Sequence, residues 1–393
     1  MGLGPSFKPY LRDTFPSVVL EDAGDADGVV IDVMVLLHTF TLREDEHDRP
    51  VDRLVDMFWN AICGYTRAAL CFDVPSTTPS AKAIEWRNRP APEIVVTADD
   101  LSEWLIFDQL YEFKSVMASR QARMVLCNFL AKRLVERMRC PTWTGLLKTL
   151  IVFGDVAPVV YLRSGPQTPR PDWKRPLHGE ADVSGIFAAH ILKDKCRGVV
   201  AVTCDTDWCL VGALNAFPGL VVKLTHYDRK CGAFVSMFVD VNKLVAEVKR
   251  VYSVNLFEWA AVVLTRGSDY VTAFIRGIPD WHTYVSLLCN RVVAQKNRTK
   301  VAEVVSASAL NGPLFFGALK QLVNDTQRTA LKIDENDGEL ARLAWNLFYF
   351  KHVPLAGGAG LDCESFGGWQ VDANGVVDKA HTRNAVFRFN PNE

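Results

Sequence analysis

Acidic side chains that follow short apolar runs are the residues of this chain whose types and spacing could do chemistry. The run VVID ends in Asp32, ALCFD ends in Asp73, and VVAVTCDTD ends in Asp205 and Asp207. Each run has the length and composition of a buried β-strand, so we expect each aspartate at the C-terminal end of a strand. In an open parallel sheet these ends share one edge, where ligands bind.

Three further acids fit the same edge. Glu180 and Asp182 open the helical run GEADVSGIFAAHIL, and Asp269 follows the apolar run AAVVLT within RGSDY. Clustered carboxylates repel one another unless cations intervene, and oxygen donors favour Mg²⁺ or Mn²⁺ over Zn²⁺. Two such ions about 4 Å apart can activate water and stabilise the leaving oxygen of a phosphodiester. One such acid alone is more often a helix cap or a turn residue, but five agreeing segments indicate a metal site.

Strands and helices alternate along the part of the chain that must position these acids. The apolar runs predict strands at 28–31, 68–72, 93–96, 149–153, 198–203 and 220–224. Helical periodicity predicts helices at 51–62, 101–113, 116–138, 183–191 and 241–252. This alternation predicts an α/β fold with a central, mainly parallel sheet flanked by helices. From about residue 276 the pattern is mainly helical, and the last thirty or so residues are expected to be irregular.

The composition of the 393 residues is that of a globular protein, with 49% hydrophobic residues, 23% charged residues and a net charge of −1. It excludes collagen-like, disordered and coiled-coil classes. No apolar run reaches the roughly 18–20 residues of a membrane span, and the start lacks the apolar core of a signal peptide. The ten cysteines form no CxxC pair and are expected to be reduced core thiols in an intracellular protein.

Six segments, in one order, resemble the flap endonuclease family, the structure-specific 5′ nucleases with a PIN-like core. They are MGLGPSFKPYL, GVVIDVMVLLHTF, LCFDVPSTTPSAKAIEWRNR, GEADVSGIFAAHIL, TCDTDWCLVGA and RGSDYVTAFIRGIP. Asp182 stands where the family has a second Glu. The resemblance covers residues 1–280 as a nuclease core, followed by a mainly helical region, 281–393, with an irregular tail. Such divergence resembles homologues from large DNA viruses.

The resemblance implies roles for particular residues. The implied ligands of two Mg²⁺ ions, with Mn²⁺ as a substitute, are Asp32, Asp73, Glu180, Asp182, Asp205, Asp207 and Asp269. Lys82 and Arg87 would contact the scissile phosphate and stabilise charge in the transition state. Arg89 in the same stretch, and Gly2 near the active site, would contact DNA.

A basic helical interval at about 85–145 resembles the family's helical arch or gateway, through which a single-stranded 5′ end passes. Its implied DNA-binding residues are Arg120, Arg123, Lys132, Arg133 and Arg137. The apolar residues of this interval recur at approximately helical spacing and would occupy one face of a helix. The cations would then lie on another face, where they would neutralise phosphates. A solvated amphipathic helix is the alternative interpretation.

The family's duplex-binding turn is altered in this chain. Gly277 remains, but Pro279 and Asp280 follow in RGIPDWHTY where the family continues Gly-Pro with basic residues. Backbone contacts would then come from QKNRTK, through Lys296 and Arg298. No clamp-binding motif is present at the C-terminus.

The expected function is therefore that of a magnesium-dependent nuclease in DNA replication, repair or recombination. Its implied partner is DNA with 5′ flaps, branches or free 5′ ends, RNA being a further candidate and a membrane not expected. The implied compartment is the nucleus or a viral replication compartment.

Three alternatives stay open. A PIN-like fold without turnover could serve as a scaffold that binds nucleic acid or protein. Asp-x-Asp after a strand also occurs in haloacid-dehalogenase phosphatases, which want Thr or Val where this chain has Cys209. A metal-dependent glycosyltransferase uses Asp-x-Asp but does not require the other five acids.

Overall fold

Nine strands form one sheet in the computed structural model. The structure describes residues 3, 6–40, 50–72, 95–104, 113–154, 158–170, 181–228, 233–266, 280–299, 318, 369–371 and 377–379. The strands of this sheet are β1 (Val19–Leu20), β2 (Gly28–Asp32), β3 (Arg67–Cys71), β4 (Thr149–Phe153), β5 (Val159–Leu162), β6 (Thr168–Pro169), β7 (Val199–Thr203), β8 (Leu220–Asp228) and β9 (Ala233–Asp240).

The centre of the sheet is parallel. In the order β1-β9-β8-β7-β2-β3-β4-β5-β6, the five strands from β8 to β4 all run in one direction. The flanking strands β9, β1, β5 and β6 pair antiparallel to their neighbours. The predicted α/β class with a mainly parallel sheet flanked by helices is confirmed, and the antiparallel edges are an addition that the sequence did not predict.

The helices cover both faces of this sheet. They are α1 (Phe7–Thr14), α2 (Val33–Thr39), α3 (Pro50–Ile62), α4 (Ala98–Trp104), α5 (Phe113–Ala118), α6 (Arg120–Arg139), α7 (Ala181–Lys193), α8 (Asp207–Leu214), α9 (Val241–Tyr252), α10 (Leu256–Thr265) and α11 (Trp281–Thr299). Side chains of β2 alternate between the two cores: Val30 packs with α1 and α7–α11, whereas Val29 and Ile31 pack with α2–α6. Both faces are buried, which explains why the central strands are apolar throughout.

Helix α11 belongs to the first of these cores. Trp281, Tyr284 and Leu288 are buried in it, and α11 packs against α1, α9 and α10. The sequence assigns these residues to the C-terminal region, yet their apolar face packs in the same core as the N-terminal helix.

Three local predictions were wrong. The single helix expected at 116–138 is divided at Ser119, whose hydroxyl caps α6 by accepting the Ala122 N–H. Val95 and Val96 are not in a strand, and they precede α4 instead. The tail contains a two-stranded antiparallel pair, β10 (Trp369–Val371) and β11 (Val377–Lys379), where irregular chain was expected.

The sequence also predicts the state of the cysteines and the absence of a membrane span. All eight cysteines in the described ranges are free thiols, but only four of them are buried, and Cys204 is exposed rather than in the core. Within those ranges, every helix is too short or too polar to cross a bilayer.

Candidate metal centre

Asp32 lies where strand β2 ends and helix α2 begins. Its Oδ1 accepts the Met34 N–H at 3.0 Å, which caps α2, and its Oδ2 accepts the Thr203 hydroxyl at 3.2 Å. The residue is buried. Both carboxylate oxygens are therefore held in place by donors, and the side chain is oriented along the C-terminal edge of the sheet.

The turn between β7 and α8 carries the next two carboxylates. Thr203 Oγ1 accepts the Asp205 N–H at 3.0 Å, and Asp205 Oδ1 accepts the Asp207 N–H at 3.1 Å. Strands β2 and β7 are parallel neighbours, so Thr203 joins the two strand ends. One chain of hydrogen bonds thus runs from Asp32 through Thr203 and Asp205 to Asp207.

Asp207 is the most deeply buried of these acids, with 1% of its surface exposed. It was predicted at the end of a strand, but it is the first residue of α8. A helix N-terminus interacts favourably with negative charge, which suits a buried carboxylate. Its Oδ1 also accepts the backbone N–H of Leu3 at 2.8 Å, so Leu3 lies at this edge of the sheet.

Helix α7 packs against α8. A Cβ built on Gly185 would lie 1.9 Å from the ring of Trp208, so the glycine permits this close contact between α7 and the start of α8. Helix α7 also packs against β2, β3 and β7. Asp182 lies in the first turn of α7, three residues before Gly185.

Several predicted site residues lie outside the described residues. They are Gly2, Asp73, Lys82, Arg87, Arg89, Glu180, Asp269 and Gly277. Asp73 directly follows Phe72 at the end of β3, and Glu180 directly precedes α7. Asp182, Arg120 and Arg298 have described backbone within helices, but their side chains are not described. Among the side chains that are described, no three His, Cys, Asp or Glu residues form a group that could hold a metal ion.

Lys8 is a residue at this edge that the sequence analysis missed. Its Nζ lies 3.4 Å from Nδ1 of His226 on β8. Burial lowers the pKa of Lys8, and the negative charge of Asp205 opposes that shift. The local sequence of α1 gives no sign of this role, because the residues that surround Lys8 are more than 190 positions away in the chain.

The thiol nearest this turn in the core is unsuited to a metal. Cys209 is fully buried in α8, and burial raises its pKa well above that of an ordinary thiol. A protonated thiol is a poor metal ligand. Cys209 is therefore excluded as a ligand, whereas the exposed Cys204 thiol lies in the turn itself beside the carboxylate and hydroxyl oxygens.

The predicted basic residues of α6 differ in their surroundings. Arg133 pairs with Glu136 at 3.0 Å and with Asp52 of α3 at 3.7 Å. Arg137 forms an ion pair with Asp56 of α3 and lies 4.0 Å above the ring of Trp143. These contacts join α6 to α3.

The other basic candidates of α6 and α11 also separate into two kinds. Arg123 is half-buried and Lys132 is exposed on α6. Lys296, in contrast, forms an ion pair with the buried Glu258 of α10. That contact fixes α11 to α10.

Comparisons with known proteins complete the description. No protein-family model and no curated protein matches the chain. The solved structure of flap endonuclease-1 from Methanococcus jannaschii is similar, with 14% identity, a TM-score of 0.35, and coverage of 84% of this chain and 93% of that one. A bacteriophage T5 flap endonuclease in a pseudo-enzyme-product complex with DNA and metal ions is similar at 11% identity and a TM-score of 0.33, covering 83% and 99%. The T5 5′-exonuclease with bound zinc is similar at 11% identity and a TM-score of 0.30, covering 84% and 99%.

Proposed function

We propose that this protein is a divalent-metal-dependent, structure-specific 5′ nuclease that hydrolyses DNA at flaps, branches or 5′ ends. The observation that carries the proposal is the hydrogen-bonded series from Asp32 to Asp207 across two adjacent strand ends. Asp32 and Asp207 are buried, and burying two carboxylates at one edge is costly unless hydrogen bonds and cations offset their charge. A purely structural role would be met by uncharged residues at lower cost.

The described carboxylates have the donor chemistry that a hard cation prefers, but by themselves they do not form a group that could hold a metal ion. Asp32, Asp205 and Asp207 supply carboxylate oxygens, and the buried Cys209 thiol is not available as a soft ligand. Two Mg²⁺ ions, or Mn²⁺, would be held by these acids with Asp73, Glu180, Asp182 and Asp269. When bound, such ions lower the pKa of a water molecule and stabilise charge on the phosphodiester oxygens.

The chain itself would supply orientation and charge. Thr203 and the backbone N–H groups fix the rotamers of Asp32 and Asp205, so no reorganisation is needed when substrate binds. Lys82 and Arg87 would contact the scissile phosphate. The proposed role of both residues is to balance the charge that develops on its oxygens.

DNA contacts would extend from this edge along the basic segments. Arg123 and Lys132 of α6 form no ion pair with a carboxylate of the described residues, and we assign them, together with Arg120, to the 5′ strand. Gly2, Arg89, Gly277 and Arg298 would contact the duplex backbone. Such contacts act in replication, repair or recombination without reading sequence. A weaker contribution to DNA binding is proposed for Arg133, Arg137 and Lys296, because the carboxylates that pair with them already offset part of their positive charge.

A catalytically inactive scaffold is the second candidate, and one observation favours it. Asp280 accepts the Thr283 N–H at 2.7 Å and begins α11, so a carboxylate occupies the turn where the resembled family has basic residues. A carboxylate there would repel a phosphate backbone.

Cleavage of labelled DNA tests the two candidates against each other. Fluorescent 5′-flap, nicked and blunt duplexes would be incubated with Mg²⁺, with Mn²⁺ or with EDTA. The nuclease proposal predicts products only with metal and most with the branched substrate. DNA binding without products on any substrate would favour the scaffold instead.

A further inference from the structure

Helix α1 places Lys8 at the candidate metal centre. On one side of Lys8, the Leu3 N–H is bonded to Asp207 Oδ1 at 2.8 Å. On the other side, Phe7 is fully buried, with its ring 4.9 Å from the ring of Trp281 in an edge contact. Phe7 therefore anchors the first turn of α1 in the core, which fixes the backbone at Lys8, and Leu3 lies at the same edge through its bond to Asp207.

The ammonium of Lys8 has a specific environment. Its Nζ is 3.4 Å from His226 Nδ1, a neutral ring nitrogen that can accept a hydrogen bond in one tautomer. Asp205 attracts it electrostatically, but no ion pair joins Lys8 to a carboxylate of the described residues. A half-buried cation is thus held beside the acids without being neutralised by one of them.

We propose that Lys8 is a substrate-contacting residue, whose ammonium binds a phosphate oxygen of the nucleic-acid backbone next to the carboxylates. This inference rests on the proposed function. A lysine is a compact point charge that suits a phosphate oxygen, and partial burial strengthens the interaction relative to bulk water. His226 positions the ammonium, and Asp205 keeps it near the metal edge.

The competing explanation is that Lys8 only offsets the charge of Asp205. Both explanations predict some loss of stability when Lys8 is replaced. Only the substrate contact predicts a change in how DNA binding depends on salt, because each neutralised phosphate releases counterions.

The experiment compares Lys8→Met and Lys8→Arg with Lys249→Met, which removes an equal charge from an exposed position on α9. Affinity for a fluorescein-labelled 5′-flap duplex would be measured by anisotropy in Ca²⁺ over a range of KCl, and cleavage in Mg²⁺. Circular dichroism would establish that each variant is folded. For Lys8→Met we expect the slope of log K against log[KCl] to fall in magnitude by about 0.9, and cleavage to fall about 10- to 100-fold. Lys8→Arg should keep the slope, and Lys249→Met should keep both quantities.

The outcomes separate the two proposals. If the wild-type protein binds and cleaves the flap while Lys8→Met retains its salt slope and rate, the assignment of Lys8 is overturned and the nuclease stands. If the wild-type protein neither binds nor cleaves any branched substrate, the proposed function fails and the assignment of Lys8 fails with it.

Discussion

The backbone N–H of Leu3 donates a 2.8 Å hydrogen bond to Oδ1 of Asp207, although 204 positions separate the two residues in the chain. Leu3 is buried, and the aromatic contacts of α1 hold the segment that follows it. Leu3 is therefore part of the candidate site. An Asn at position 207 can still accept this bond through its amide oxygen, which makes Asp207→Asn a substitution that changes charge and keeps shape.

Thr203→Val tests the hydroxyl that links the two strand ends. Val has nearly the same shape, but Asp32 would lose a donor and the Asp205 N–H would lose an acceptor. We expect Mn²⁺ affinity and cleavage rate each to fall by about 10- to 100-fold, as is typical when a hydrogen-bond partner of a metal ligand is removed. Calorimetry and a cleavage assay measure the two quantities. Thr203→Ser retains the hydroxyl, so its Mn²⁺ affinity and cleavage rate should remain near those of the wild type. Equal losses in both variants would show that the hydroxyl does not position the carboxylates.

Gly185→Ala tests the close contact between α7 and α8. The new Cβ would lie 1.9 Å from the Trp208 ring, so the helices must separate. We expect a loss of about 1–3 kcal/mol in the free energy of unfolding. Chemical denaturation would measure it. Gly64→Ala is the matched control, because no atom lies within 4 Å of a Cβ at that position. A stable Gly185→Ala protein would contradict the placement of α7 against Trp208.

Lys296→Met tests whether Lys296 serves the fold. Glu258 is 2% exposed and would be left without its cation, so we expect the free energy of unfolding to fall by about 2–3 kcal/mol. This is below the figure for a fully buried pair because Lys296 is partly exposed. Adding Glu258→Gln should restore much of the loss, since Gln can keep the capping contact with Asn255. An additive double variant would indicate that the pair contributes nothing to stability.

The lowered pKa of His190 predicts how the free energy of unfolding depends on pH. Its Nε2 lies 2.8 Å from the Asn215 carbonyl, and burial lowers its pKa below the ordinary value of 6.5. The unfolded chain therefore binds more protons below about pH 6.5. His190 thus contributes stability that is fully present above that pH and is lost as the pH falls toward the folded pKa.

The corresponding measurement is the free energy of unfolding from pH 7.5 to pH 5 for the wild type and for His190→Gln. Gln can still donate to the Asn215 carbonyl but does not titrate. The variant should lose less stability on acidification. Parallel curves would mean that His190 has the same pKa in the folded and unfolded chains.

The position of Asp32 could be predicted from the sequence, whereas that of Asp207 could not be predicted in full. A β-branched apolar run that ends in Asp fixes the end of β2 directly. The turn after β7 has no such marker, so the sequence could not show that Asp207 already belongs to α8. The contacts of Leu3 and Lys8 depend on how α1 packs against α10 and α11, and no local pattern encodes that packing.

The surroundings of Arg133 and Arg137 carried a signal that was missed. These cations are four residues apart on α6, and Asp52 and Asp56 are four residues apart on α3. Matching spacing of opposite charges is typical of two packed helices. The basic pattern of α6 was therefore assigned to DNA, although two of its cations have partners within the protein.

Cleavage by Asp207→Asn tests the central claim most directly. A fluorescent 5′-flap duplex with Mg²⁺ would be given to the wild type, to Asp207→Asn, and to Asp25→Asn, which removes an exposed carboxylate from the turn before β2. We expect metal-dependent products from the wild type and from Asp25→Asn, and a rate lower by orders of magnitude for a folded Asp207→Asn protein. Full activity in Asp207→Asn would contradict the assignment of this edge as the metal centre.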